Sequence, residues 1–249
     1  MATRSILALA LAAFTPLAWA QFQVKLNPKT VAAFEQYQGQ VESKMTWQPR
    51  FSSLSAREVK VEPTSGSSTV DVPSALIHDW TGATIVEHAT VQRVLAVLQN
   101  YAAYPKVYGP EVAESRVISQ EGTRYRVFLK LIKKKILTAT LDSEYAVEYR
   151  RVDDSAWAMT SRSTRMVEVD GGHEKPEGTG QGFLWRLNAY WLVQQRGESV
   201  YVECRSLSLT RNIPTGLGFV VRPFVRDLPM ESLTATLRQT ALAVAAGSR

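Results

Sequence analysis

From Val117 to Leu209 the chain alternates apolar and polar residues in successive runs, and then the alternation stops. The runs span about 112–120, 123–133, 136–150, 156–169, 182–195 and 199–211. Glu121-Gly122, Lys133-Lys134-Lys135, Asp153-Asp154, a Gly- and Pro-rich loop at 170–182, and Arg196-Gly197 separate them. A period of two broken by turn residues predicts consecutive antiparallel strands. Beyond Arg222-Pro223 and Leu228-Pro229 the period lengthens. There Leu233, Leu237, Ala241 and Val244 make one stripe on a long helix, with Glu231, Arg238 and Gln239 on its outer face. Such a sheet has one face to bury and one long helix to bury it with, so it must curl around that helix. The predicted class is α+β, a curved antiparallel sheet gripping a C-terminal helix, an arrangement that commonly leaves a cavity.

Upstream, Leu76 to Val86 reads as a strand with a bulge at Gly82. Thr90 then caps a helix whose apolar face is Val91, Val94, Leu95, Val97, Leu98 and Tyr101, ending before Pro105. Asn27-Pro28 opens an earlier helix, with Val31, Ala32, Phe34, Tyr37 and Val41 near helical spacing. Residues 62–74 have linker composition. The expected division is a signal peptide at 1–20, an N-terminal extension and linker at 21–74, and a main domain at 75–246.

The first residues have the three parts of a secretory signal. Arg4 charges a short n-region, Ile6 to Phe14 is apolar, and Ala18-Trp19-Ala20 offers small residues to signal peptidase. Cleavage is expected after Ala20, and the apolar run is too short to span a bilayer. The expected location is therefore the periplasm or the secreted fraction. The lone Cys204 excludes an intramolecular disulfide, a zinc ribbon and a CxxC redox pair. The formal charge of +6 falls to +5 when Arg4 leaves with the signal. An exported chain rarely meets nucleic acid, so the surplus leaves open only transient contact with a membrane surface. Lys133-Lys134-Lys135, the densest basic run, is expected to be a solvated turn between strands.

The hairpin at 183–209 sorts its own faces. With Arg196 and Gly197 as the central residues of a tight turn, Gln195 pairs with Glu198, and paired positions sum to an odd number. Phe183, Trp185, Leu187, Ala189, Trp191 and Val193 then share a face with Val200, Val202, Cys204, Ser206 and Ser208. That face should meet the C-terminal helix, and its small residues opposite tryptophans leave room for a ligand. The other face carries Arg186, Asn188, Tyr190, Glu203 and Arg205, read either as a buried polar site or as a covered sheet back.

Two stretches are similar to a known superfamily. "TVQRVLAVLQNYAAYPKVYGPEVAESRVI" resembles the helix and following turns of the START-like (SRPBCC) superfamily, also called Bet v 1-like or polyketide-cyclase-like. "SLSLTRNIPTGLGFVVRPFVRDLPMESLTATLRQTALAV" resembles its last strand, loop and closing helix. The likeness covers roughly residues 75–246 and includes no catalytic motif. It implies a helix-grip fold with a cavity between sheet and helix, in a family whose members bind lipids, sterols, polyketides or plant hormones and of which a minority cyclise or hydrate their ligands.

Searches for chemistry find little. His78, His88 and His173 lack metal-site spacing, and no nucleophile elbow or phosphate loop occurs. Cys204 sits mid-strand among apolar neighbours, where an inert thiol is expected. No cofactor, metal or catalytic residue is expected. The expected ligand-binding set is Trp185, Leu187, Ala189, Trp191, Val202, Cys204, Ser206, Leu233 and Leu237. The expected function is binding of a hydrophobic or amphipathic, lipid-like small molecule for carriage or sequestration. Two alternatives stay open: a cyclase or dehydratase using Tyr190, Glu203 and Arg205, and a ligand-free interaction module.

Overall fold

The computed structural model describes residues 23–134, 138–212 and 218–247. The predicted signal, Lys135 and residues 213–217 lie outside the described residues. The chain opens with strand β1 (Val24–Lys25) and helix α1 (Pro28–Ser43). The Asn27 side chain caps α1 by accepting from Lys29 N at 2.9 Å, and Pro28 occupies the first turn, where no N–H is needed. Strands β2 (Val59–Pro63), β3 (Val70–Val72) and β4 (Ala75–Val86) follow. Helix α2 (Val91–Gln99) is capped by Thr90, and a single 3-10 turn at Tyr101–Ala103 leads into the short α3 (Tyr104–Val107).

The alternating region then forms β5 (Val112–Glu121), β6 (Arg124–Lys134), β7 (Thr138–Arg151) and β8 (Ala156–Asp170), followed by β9 (His173–Glu174) and β10 (Thr179–Gly180). Strands β11 (Arg186–Arg196), β12 (Ser199–Arg211) and helix α4 (Gly218–Ala246) complete the chain. Ten strands make one antiparallel sheet in the order β2-β4-β12-β11-β8-β7-β6-β5, with β3 on β4 and β9 on β8. Strands β1 and β10 pair separately. Helix α4 crosses β2, β4 and β12 on the concave face. The architecture is the helix grip that the sequence pattern predicts.

Four local features differ from expectation. The β11–β12 turn is centred on Gly197-Glu198, and Arg196 pairs with Ser199. Gly197 adopts φ +58°, the conformation such a turn demands and glycine tolerates. Pairs still sum to an odd number, so the two faces keep their residues. No bulge interrupts β4 at Gly82, which pairs with Cys204 in unbroken register. Helix α4 begins at Gly218 and runs through both Pro223 and Pro229, since each proline removes one N–H without ending a helix that is held elsewhere by packing. Of the lysine run, Lys133 and Lys134 extend β6 rather than forming the turn.

The segment ahead of residue 75 is built onto the sheet. Strands β2 and β3 pair with β4, and α1 covers the convex back, where Phe34 and Val41 pack with Ile77, Trp185, Tyr190, Leu207 and Leu209. Phe51 extends that layer over Leu192 and Tyr201. Buried on both sides, β4 is almost wholly enclosed, and its apolar content follows from that.

Candidate functional site

A cavity of about 560 Å³ lies between the sheet and α4. Its walls come from alternate residues of five strands: Val127, Leu129 and Leu131 of β6, Leu141, Tyr145 and Val147 of β7, and Met159 and Ser161 of β8. Leu187, Ala189 and Trp191 of β11 with Cys204, Ser206 and Ser208 of β12 complete the sheet side, and Leu228, Leu233 and Thr236 of α4 form the roof. Leu187, Ala189 and Ser206 are only half-buried although α4 covers that sheet face, because the space above them is open.

One end is floored by tyrosines. Tyr149 donates to the Leu98 carbonyl at 2.8 Å and so accepts from Tyr101 at 2.9 Å, while Tyr104 donates to the same carbonyl at 2.6 Å. Tyr108 lies 3.0 Å from Thr240 Oγ1, which donates to Thr236 O, so the phenol is the donor. Burial lifts the phenols of Tyr101, Tyr104 and Tyr149 well above their ordinary range and that of Tyr108 to about 12, so all four stay neutral.

Exposed lining residues mark the rim among the described residues: Gly109, Pro110, Phe183, Asn212, Ala235 and Gln239. Two links to α4 frame part of it, one from Tyr108 at the end of α3 to Thr240 and one from Lys133 Nζ of β6 to Ser232 Oγ, the latter of 2.9 Å. Glu111 contacts the same ammonium. Between Ser232 and Thr240 the helix advances about 12 Å. Charged lining groups, Glu111, Lys133 and Arg211, stand near this outer part, and the depth of the cavity is neutral.

Of the residues singled out from sequence, Leu187, Ala189, Trp191, Cys204, Ser206 and Leu233 line this space together. The other three do not. Trp185 turns to the convex back and packs with Phe34 and Leu209, because β11 starts only at Arg186 and the alternation rule does not reach residue 185. Val202 is enclosed in the packed core, and Leu237 is fully buried over Gly82. Burial raises the Cys204 thiol well above its usual range, which leaves it protonated and unreactive.

The polar residues weighed as a catalytic set lie on the opposite face. Tyr190 donates to Glu42 of α1 at 2.8 Å, and Asn188 donates to Gln38 at 2.8 Å. Arg205 grips Asp79 with bonds of 2.8 and 2.5 Å, and Glu203 accepts from Arg50 N at 2.9 Å and from the Tyr201 hydroxyl. These groups are satisfied by one another under the N-terminal segment, where no part of the cavity reaches. Among the described residues no cluster of His, Cys, Asp or Glu could hold a metal, and no helix is long and apolar enough to cross a membrane.

The tyrosine floor and the β6–β8 wall were not singled out from sequence. The signal was present, since Val127, Leu129 and Leu131 alternate, but reading them as lining requires the pairing of β6 to β7 and of β7 to β8, which only the register supplies.

No family model matches the sequence, and no curated protein matches it. Solved structures do. The Zhui aromatase/cyclase from Streptomyces sp. R1128 superposes with a TM-score of 0.50 at 12% identity, over 70% of this chain and 96% of its own. A Thermus thermophilus protein gives 0.47 at 19% identity, over 68% of this chain and 98% of its own. A STAR-related lipid transfer protein fragment from Xanthomonas axonopodis gives 0.44 at 18%, over 69% and 99%. The first of these, taken with the strand order and the closing helix, establishes the fold as a helix grip. At these identities the likeness carries fold and not activity.

Proposed function

We propose that this protein is exported by a signal cleaved after Ala20 and holds a hydrophobic or amphipathic small molecule in the cavity between sheet and α4, for carriage or sequestration. The observation that carries this reading is the half-buried state of Leu187, Ala189 and Ser206 beneath a void of about 560 Å³. A void of that size lined by apolar groups has the dimensions of a ligand pocket, whereas packed interiors rarely leave gaps larger than a water molecule. The ligand-contacting set we assign is Leu187, Ala189, Trp191, Cys204, Ser206 and Leu233.

A cyclase or dehydratase built on Tyr190, Glu203 and Arg205 is disfavoured, since all three point away from the chamber and are engaged with Glu42, Tyr201 and Asp79. The deciding experiment is native mass spectrometry of the mature protein purified from its own periplasm, followed by solvent extraction. A discrete added mass assignable to a lipid or polyketide supports the binding reading and identifies the class. A clean apo mass, with no uptake of added apolar ligand, overturns it.

A further inference from the structure

Apart from Tyr145 of β7 and Lys133 at the rim, the sheet side of the chamber is apolar except along one short track. Register places Ser161 opposite Ala189 and Ala189 opposite Ser206, so two hydroxyls flank a methyl group in a single row across β8, β11 and β12. Ser208 stands one step further along β12, opposite Leu187, on the same face. By strand geometry Ser161 and Ser206 are about 10 Å apart across the sheet, and Ser206 and Ser208 about 7 Å apart along it. Thr210, next on the track, is already engaged with His78 Nε2 at 2.9 Å. The hydroxyls of Ser161, Ser206 and Ser208 make no hydrogen bond among the described residues, yet all three residues line the cavity. Ser208 is only 5% exposed. None of the three oxygens is fully enclosed: each keeps accessible surface on the cavity wall, where a ligand oxygen can pair with it.

We infer that the ligand carries an uncharged oxygen function, a ketone, ester or hydroxyl, part-way along an otherwise apolar body, and that Ser161, Ser206 and Ser208 receive it. The inference rests on the binding reading above and names its ligand class. Serine hydroxyls donate to a carbonyl or exchange bonds with an alcohol without a charge on either side. Ala189 keeps the row clear for the oxygen, and the next row inward, Met159, Trp191 and Cys204, closes around hydrocarbon. A carboxylate or phosphate has no counter-charge at this depth, because Lys133 and Arg211 stand toward the outside.

The test measures binding of dodecane, of its mid-chain ketone and of dodecanoate to the mature wild-type protein and to the Ser161→Ala/Ser206→Ala/Ser208→Ala variant. Thermal melting serves as the folding control, with Ser206→Ala alone as the substitute should the triple variant not fold. Expected is a preference for the ketone over the alkane of about tenfold in the wild type, reduced to near parity in the variant while alkane affinity holds. Equal binding of ketone and alkane by the wild type, or a ketone preference that survives the substitutions, overturns the inference and leaves the chamber reading standing. Dodecanoate binding tightest and independent of the serines also overturns it, by placing the polar group at the rim. Binding of none of the three overturns the chamber reading and this inference together.

Discussion

A methyl group added at Gly82 would lie 2.8 Å from Cδ1 of Leu237 and 2.7 Å from Cγ2 of Val61, so α4 rides on bare backbone at the middle of β4. The glycine that looks like a bulge in sequence is a seat for the closing helix. Gly82→Ala should lower unfolding free energy by about 1–3 kcal/mol through overpacking, and Gly82→Val by more. Urea denaturation checks this; an unchanged midpoint for both variants would show that the helix does not bear on this point.

Filling the chamber should separate binding from folding. Ala189 is half-buried at the centre of the cavity wall, between Ser161 and Ser206. An Ala189→Phe side chain occupies existing void, so the melting temperature should move by only a few degrees while affinity for an apolar probe drops by at least about tenfold. A large loss of stability would mean that the wall is packed rather than open.

The loop beside the rim is held by one carboxylate. Glu168 accepts from Gln181 N at 2.6 Å and Gly182 N at 2.8 Å, and Lys175 stands 3.9 Å away. At Gly180, φ is +132° and a Cβ would collide with that carboxylate, which is why the clamp needs glycine there. Glu168→Ala should cost about 2–4 kcal/mol by leaving two amides unpaired. It should also raise amide exchange at Gln181 and Gly182 and speed ligand exchange severalfold. Amide exchange at wild-type rates would remove the clamp from the account.

Acid should weaken the fold through His78. Burial holds its ring at a pKa of about 4, against an ordinary value of 6.5. The unfolded chain therefore binds a proton across that window while the folded chain does not, so stability falls as pH drops from 6.5 toward 4 and levels off below. The full effect is on the order of 3 kcal/mol. Denaturation midpoints across this window should slope less in His78→Gln than in the wild type, and identical slopes would assign the acid sensitivity to other groups.

How much of this could be read in advance depended on range. Period-two runs and the Leu233, Leu237, Val244 stripe are local patterns, and they sufficed for the order of elements along the chain, the helix grip and the sheet face that carries Leu187, Ala189 and Ser206. Face assignment survived an error in the turn because moving it from Arg196-Gly197 to Gly197-Glu198 shifts each pair sum by two and leaves its parity intact. Trp185 was placed on the wrong face because alternation was carried past the first residue of β11. The role of the N-terminal segment was not legible, since the docking of Phe34 and Val41 on Leu207 and Leu209 joins residues far apart in the chain that share no local signal.

The tyrosine floor has a kinetic consequence. Tyr104 and Tyr149, both locked onto the Leu98 carbonyl, and Tyr101, which donates to Tyr149, close the inner end, so among the described residues arrivals and departures share the rim. A chamber entered and left at the same rim does not let two occupants pass. Replacement is then sequential, with release first and uptake second, and the rate at which a bound molecule is displaced becomes independent of how much competitor waits outside.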